Sequence, residues 1–399
     1  MTPTPESFTR RPDAETARVI IDGIEWQRIR MRLSGHFVDG LARDAVGSAP
    51  EFFVECTTTG QRVNLPGVSG GLRFAIDCNA MRLDGLDPLQ PGIWTLFARA
   101  GHAEGNSSGD GDAGGRVGTR ADAEPIPVGV TGDMTAPEEG YGGAFVTGAY
   151  SYRVLPSASA ETGGFALVVE YQQSPKKPRP PGLAGLTRDA RALMRALRKS
   201  VFSATYAVSR RLVRKNGRKI LLTSDSRSEL SGNLGLIHSR MLDRGLDREY
   251  TLMTTFKSSI VSRRSFLEKF KLPYLLAIAD VIILDDFHPL LYQVPFGPEV
   301  RIIQVWHASG AFKTVGYSRV GKAGGPSPFA KSHKNYTHAI VSSQHDVPFY
   351  AEAFGLPEAR VVATGIPRMD LFFDDEYKTH AVESVYAAMP RLRDSRVIL

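Results

Sequence analysis

Cysteine is nearly absent from this chain. Cys56 and Cys78 are the only two among 399 residues, too few for a disulfide framework or a thiolate zinc set. A reduced, cytoplasmic compartment is the expectation. The opening stretch, MTPTPESFTRRPDAET, has no apolar core and does not read as a secretory signal. The longest apolar run, residues 272–284, is too short to span a bilayer and contains Asp280. His333, His338 and His345 sit at no zinc spacing, so surface or core roles are expected for them. The glycine-rich stretch 321–326 lacks the strand–loop–helix order and Lys-Ser/Thr ending of a P-loop. It reads as a surface loop or a mobile loop beside a site. There is no internal repeat.

What the chain has in excess is positive charge, and it is concentrated. The formal net charge is +7, yet residues 176–219 hold fourteen Lys/Arg against one acid, Asp189, a local +13. A basic domain face with interleaved aromatics would point to nucleic acid; one basic block points instead to an anionic surface. Inside the block, Leu186, Ala190, Leu193, Leu197, Val201, Ala204 and Val208 recur at helical spacing. Arg188, Arg191, Arg195, Arg198 and Lys199 fall on the opposite side. Such a helix can lie in a membrane interface, or it can pack on its own protein with the arginines solvated. Both readings stay open.

The texture divides the chain into a multidomain protein. Residues 15–173 read as a β-rich, sandwich-like accessory domain of short strands between Gly, Pro and Asx turns. A Gly/Asp/Ser-rich stretch at 101–118 reads as disordered. Residues 174–217 form a basic linker (SPKKPRPP at its start) and the amphipathic helix. Residues 218–395 alternate strands and helices, the pattern of a mostly parallel α/β lobe. Its strands are expected at 219–223, 250–255, 281–284, 300–305, 339–342 and 360–363. In such sheets ligands bind beyond the carboxyl ends of strands. Residues 224–232, 285–288, 307–316 and 343–346 would meet there.

Two segments carry candidate chemistry. Residues 304–316, Gln-Val-Trp-His-Ala-Ser-Gly-Ala-Phe-Lys-Thr-Val-Gly, place His307 after an apolar strand. A histidine titrates near neutrality and suits general-base work. Ser309 and Gly310 let backbone amides approach an anion, and Lys313 adds a point charge. The plain alternative is a histidine capping its strand. Residues 364–370, Thr-Gly-Ile-Pro-Arg-Met-Asp, form a sharp turn at Gly365. There Arg368 either binds phosphate or pairs with Asp370. Asp285-Asp286-Phe287-His288 ends another strand. It could hold a divalent cation, although turn formation and capping by Asp is the more common explanation. No metal site is assigned.

In this order, the Trp-His loop, Ala339-Ile340-Val341-Ser342-Ser343 with Ala353-Phe354-Gly355, and the 364–370 turn resemble the CDP-glycerol glycerophosphotransferase family of teichoic acid polymerases and primases. The resemblance covers roughly residues 218–399. It implies one lobe, Rossmann-like, of a two-lobed GT-B fold. It implies transfer of glycerol phosphate from CDP-glycerol, the donor, to a hydroxyl of a lipid-linked polyol-phosphate acceptor, with CMP released. His307 would be the base, and the loop amides and Lys313 would steady the phosphate. It further implies peripheral attachment at the cytoplasmic face of the membrane. No other cofactor and no nucleic acid is implied. The family loop usually reads Trp-His-Gly-Thr-Pro-Leu-Lys-Lys-x-Gly. Here Ala308, Ser309 and Gly310 replace Gly, Thr and Pro, and one residue is added before Gly316. Residues 396–399 resemble the opening of a strand, so the second lobe is expected after residue 399 and the chain alone is expected to be truncated and inactive. Another activated polyol, such as CDP-ribitol, an activated sugar, or a non-catalytic membrane-associated module are the competing readings.

Overall fold

The computed structural model describes residues 18–39, 50–83, 87–99, 125–130, 142–159, 162–175, 183–257 and 267–395. The stretch 101–118, most of the 174–181 linker and residues 396–399 lie outside them. The chain divides into two compact units, one drawn from Met1–Lys176 with Val315–Ala330, the other from Lys177–Thr314 with Lys331–Leu399.

Alternating apolar residues build the first unit. Its strands are β1 (Val19–Gln27), β2 (Arg30–Phe37), β3 (Glu51–Cys56), β4 (Arg62–Leu65), β5 (Gly67–Gly70), β6 (Arg73–Asn79), β7 (Gly92–Arg99), β8 (Ile126–Pro127), β9 (Gly129–Val130), β10 (Gly143–Val146), β11 (Tyr150–Ala158) and β12 (Phe165–Gln173). One sheet runs β5-β6-β2-β1-β9; the other runs β10-β11-β12-β7-β3-β4, with β8 on β7. In β2 every second residue is buried, the mark of a strand with one face in a core. The two sheets share that core: Phe52 of β3 stacks on Phe74 of β6 at 4.7 Å. Gly35 is fixed by close approach, since a Cβ there would lie 2.2 Å from the Ile20 carbonyl oxygen. The core also takes in Tyr317 and Val320. These belong to Val315–Ala330, here called the strap, which interrupts the second unit in sequence but folds with the first. Stretch 321–326 is a surface turn of the β unit, with Lys322, Ala323 and Gly324 exposed.

The second unit follows the alternation of the sequence: α1 (Leu183–Leu212), β13 (Lys219–Ser224), α2 (Gly232–Asp243), β14 (Thr251–Phe256), α3 (Glu268–Ile278), β15 (Val281–Leu284), β16 (Arg301–Gln304), β17 (His338–Val341), α4 (Val347–Phe354), β18 (Val361–Ala363) and α5 (Asp375–Ala388). All pairings are parallel, in the order β14-β13-β15-β16-β17-β18. Five consecutive residues of β13 are buried, as expected of a parallel strand covered on both faces. The chain runs outward from β13 to β14, then returns to place β15 on the other side of β13. That reversal opens a crevice at the carboxyl ends of β13 and β15.

Helix α1 departs from the sequence reading. Among its described side chains, Phe202, Tyr206 and Ser209 are buried, one position around from the Leu193–Leu197–Val201 stripe. The Tyr206 hydroxyl donates to the Pro295 carbonyl at 2.6 Å, and its ring meets Phe296 edge-on. Two aromatic side chains bury more area than the small aliphatics and decide which face docks. Leu193, Leu197 and Val208 stay 70%, 54% and 55% exposed. Arg188, Arg191, Arg195, Arg198 and Lys199 are exposed as well. No helix among the described residues is long and apolar enough to cross a membrane.

Candidate active site

The carboxyl ends of β13, β15 and β16 bring three loops together. After β16, Trp306 turns back with φ +49, a conformation costly for a bulky residue unless its surroundings hold it. They do. The Trp306 amide donates to Gln304 Oε1 at 2.8 Å, and its carbonyl accepts from Asn233 Nδ2 at 2.8 Å. The indole lies against Tyr350 and Phe354. Gln304, wholly buried, also donates to the Asp286 carbonyl and the Tyr336 hydroxyl. A polar network under the loop thus fixes its backbone.

This turn presents His307, about one-third exposed, with its ring stacked on Trp306 at 4.4 Å. Its Nδ1 faces the Asp285 carbonyl oxygen at 3.3 Å, and the Asp286 carboxylate stands 3.9 Å away. A carbonyl can only accept, so the nitrogen facing it carries the proton. The lone pair is then on Nε2, free to take a proton from a bound hydroxyl. Asp286 sits where it steadies the imidazolium that results. Asp285 itself is 1% exposed and ion-paired through Oδ2 to Arg227 Nε. Its Oδ1 has no hydrogen-bond partner. His288, fully buried, has Nε2 3.3 Å from Thr223 Oγ1. No group of three or more His, Cys, Asp or Glu among the described residues is arranged to hold a metal ion. The Asp285–His288 segment contacts Arg227, Thr223 and His307.

Gly310 adopts φ +135, and its carbonyl accepts from the Tyr350 hydroxyl at 2.9 Å. Proline, fixed near φ −65°, could not take this position, so the replacement noted in the sequence changes the loop path. Ser309 is half-buried beside it; Lys313 is exposed and has no ion-pair partner among the described residues. Gly365, at φ +85, donates its amide to the Val341 carbonyl at the end of β17. No ion pair joins Arg368 and Asp370, and both are exposed. The Arg368 amide donates to Asn233 Oδ1 at 3.1 Å.

Asn233, 1% exposed at the start of α2, is the residue that local reading of the sequence missed. One side chain ties the Trp-His loop to the 364–370 turn, using its two ends for the two loops. Asp286 was missed in its role beside His307. A polar residue at a helix start and an acid at a strand end are both ordinary, and only the fold makes them unusual.

Known proteins resemble the second unit's part of the chain. The profile of the CDP-glycerol:poly(glycerophosphate) glycerophosphotransferase family matches residues 204–399. The teichoic acid ribitol-phosphate polymerase TarL of Staphylococcus aureus (strain NCTC 8325 / PS 47) is 48% identical over 202 residues, 51% of this chain and 36% of TarL. A teichoic acid poly(ribitol-phosphate) polymerase of Bacillus spizizenii (strain ATCC 23059 / NRRL B-14472 / W23) is 41% identical over 53% of this chain and 34% of its own length. A teichoic acid ribitol-phosphate primase of the same organism is 34% identical over 50% and 53%. The chain spans about a third of the polymerases and about half of the primase it matches.

Proposed function

We propose, from the premise that residues 204–399 of this chain belong to the CDP-glycerol:poly(glycerophosphate) glycerophosphotransferase family, that its α/β unit forms the acceptor-activating wall of a polyol-phosphate transferase. The observation that carries this is the His307 environment: Nδ1 turned to a carbonyl, a carboxylate behind it, and Nε2 left open at the crevice edge. His307 takes the proton of an acceptor hydroxyl. The freed oxygen attacks the phosphorus of an activated polyol phosphate, the bond to the nucleotide breaks, and CMP leaves with its electron pair. General-base help of this kind is worth on the order of 10²–10⁴ in rate. Ser309 and Gly310 amides, Lys313 and Arg368 supply the positive potential in which phosphate charge redistributes.

The transferase class is that of the teichoic acid polymerases and primases. For the donor we favour an activated ribitol phosphate over the glycerol donor named by the family. The 34–48% identical relatives carry ribitol-phosphate names, whereas glycerol-phosphate primases reach 22–23%. A panel of CDP-ribitol, CDP-glycerol and nucleotide sugars, with CMP or nucleotide release as readout, tests this. Preference for CDP-glycerol would overturn the donor assignment, and no release from any donor would overturn the class of reaction. The parallel sheet is read as one lobe of a GT-B pair.

The acceptor is read as lipid-linked, with α1 as the membrane contact. An exposed apolar stripe next to exposed Arg188, Arg191, Arg195, Arg198 and Lys199 suits the cytoplasmic face of an anionic membrane, where each basic residue adds roughly 1 kcal/mol. Co-sedimentation with phosphatidylglycerol vesicles should fall sharply when these five become Gln. Unchanged sedimentation would remove α1 from the account.

A further inference from the structure

Among the cations of the α/β unit's crevice, Lys313 and Arg368 are exposed, whereas Arg227 is held. It follows β13, and its Nε donates to Oδ2 of the buried Asp285 at 2.5 Å. Its planar head lies over Gly232, the first residue of α2. Gly232 has φ +58 and no side chain, and a Cβ there would stand 2.7 Å from Arg227 Cζ and Nη2. Arg227 Nη1 is 3.5 Å from Ser231 Oγ, at the edge of hydrogen-bond range, and Nη2 has no partner among the described residues. The side chain is 28% exposed. One edge of the guanidinium is thus fixed by Asp285, and the edge formed by Nη1 and Nη2 stays open. Two parallel N–H groups match two oxygens of a phosphate. The start of α2 adds positive potential, because its first turn holds no acid and Ser231 makes no capping bond.

Asp285 is the common support of Arg227 and His307. Its carboxylate holds Arg227, and its backbone carbonyl faces His307 Nδ1 at 3.3 Å. Arg227 therefore lies on the Nδ1 side of the imidazole, away from Nε2. The phosphorus under attack lies beyond the acceptor oxygen at Nε2, so an anion on Arg227 is a different phosphate. In a polyol-phosphate acceptor the nearest one sits at the far end of the terminal polyol. Arg227 follows β13 and His307 follows β16, with β15 between them. Two strand spacings are roughly 10 Å. A chain of single bonds advances about 1.25 Å per bond. From phosphorus to the free terminal oxygen, a five-carbon polyol has seven bonds and reaches about 9 Å, while a three-carbon polyol has five and reaches about 6 Å. The longer unit bridges the two side chains; the shorter one leaves its hydroxyl short of the base.

We propose that Arg227 binds the phosphate that precedes the reacting hydroxyl in the acceptor, and that its spacing from His307 selects a five-carbon polyol over a three-carbon one. The assignment rests on the role given to His307 above. The test uses the full-length gene product with ribitol 5-phosphate, glycerol 3-phosphate and free ribitol as soluble acceptors. Calorimetry should show ribitol 5-phosphate bound at least about tenfold more tightly than ribitol, as a charged hydrogen bond provides. Arg227→Lys keeps the charge and loses the fork, so it should weaken ribitol 5-phosphate binding about tenfold and leave free ribitol unaffected. Arg227→Gln alone would strand the buried Asp285, so the second variant combines it with Asp285→Asn and is checked by melting. It should bind ribitol 5-phosphate no better than ribitol. Acceptor-dependent CMP release from CDP-ribitol should be at least about tenfold faster at saturation with ribitol 5-phosphate than with glycerol 3-phosphate. Unchanged affinity for ribitol 5-phosphate in the folded variants overturns the phosphate contact. A raised KM for CDP-ribitol with unchanged acceptor affinity places Arg227 on the donor and also overturns it. Equal release with the two phosphates overturns the selection by length. If no acceptor elicits CMP release, the functional reading and the length selection fail together, and calorimetry still decides the phosphate contact.

Discussion

Replacing Asn233 separates a structural tie from an ordinary helix start. Asn233→Ala leaves the Trp306 carbonyl and the Arg368 amide without their shared partner. A buried polar group stripped of its partner costs about 1–3 kcal/mol. Trp306 is 6% exposed and pays near the upper end, while Arg368 is an exposed residue whose amide water can reach more cheaply. The sum is about 3 kcal/mol. For a unit of this size that lowers the melting temperature by roughly 6–12 °C. Asn233→Asp keeps an acceptor for the Arg368 amide but turns a second oxygen toward the Trp306 carbonyl, so it should cost at least as much as Ala. Thermal melts followed by tryptophan fluorescence, with turnover measured at a temperature where every variant is folded, give both readings. Asn233→Ala within about 1 kcal/mol of wild type, or an Asp variant clearly better than Ala, would refute the two-ended tie.

Burial pushes His333 down from 6.5 to about 4, against a smaller upward pull from Asp286. The unfolded chain therefore binds the extra proton between those values, so stability is complete above about pH 6.5 and falls by up to about 3 kcal/mol as pH drops toward 4; urea titrations at several pH values should show that slope, and His333→Phe should flatten it. Gly365→Ala meets no atom within 4 Å, so its cost is purely that of φ +85 for a side chain, about 1 kcal/mol; a loss above about 3 kcal/mol in the same titration would mean that space is the constraint. Asp286→Asn keeps the size of the group 3.9 Å from His307 but removes the charge. Because both side chains are partly exposed, solvent screening limits the effect to about 1 kcal/mol, a roughly fivefold fall in turnover without a change in melting.

The framework was legible wherever pattern and burial agree. Val281–Leu284 is a strand where the sequence placed it, a continuous aliphatic run closed by two Asp. The loops after β13, β15 and β16 could be assigned to one sheet edge because a parallel sheet leaves them no other place. What escaped depends on distant partners. The docking face of α1 lies about 100° from the stripe read in the sequence, because Tyr206 finds Pro295 and Phe296 and Phe202 is buried one turn before it. Nothing near residues 315–330 announces that Tyr150 and Tyr171, over 150 residues earlier, will hold them. Asn233 and Asp286 carry no local signal beyond capping and turn chemistry.

The central claim is that His307 Nε2 removes the acceptor proton. Its most direct test is CMP release by the full-length gene product under single-turnover conditions, wild type against His307→Ala, with melting curves for both. The account predicts loss of release by at least about 10²-fold with a melting temperature within a few degrees of wild type. Release at the wild-type rate from a folded His307→Ala protein would contradict it.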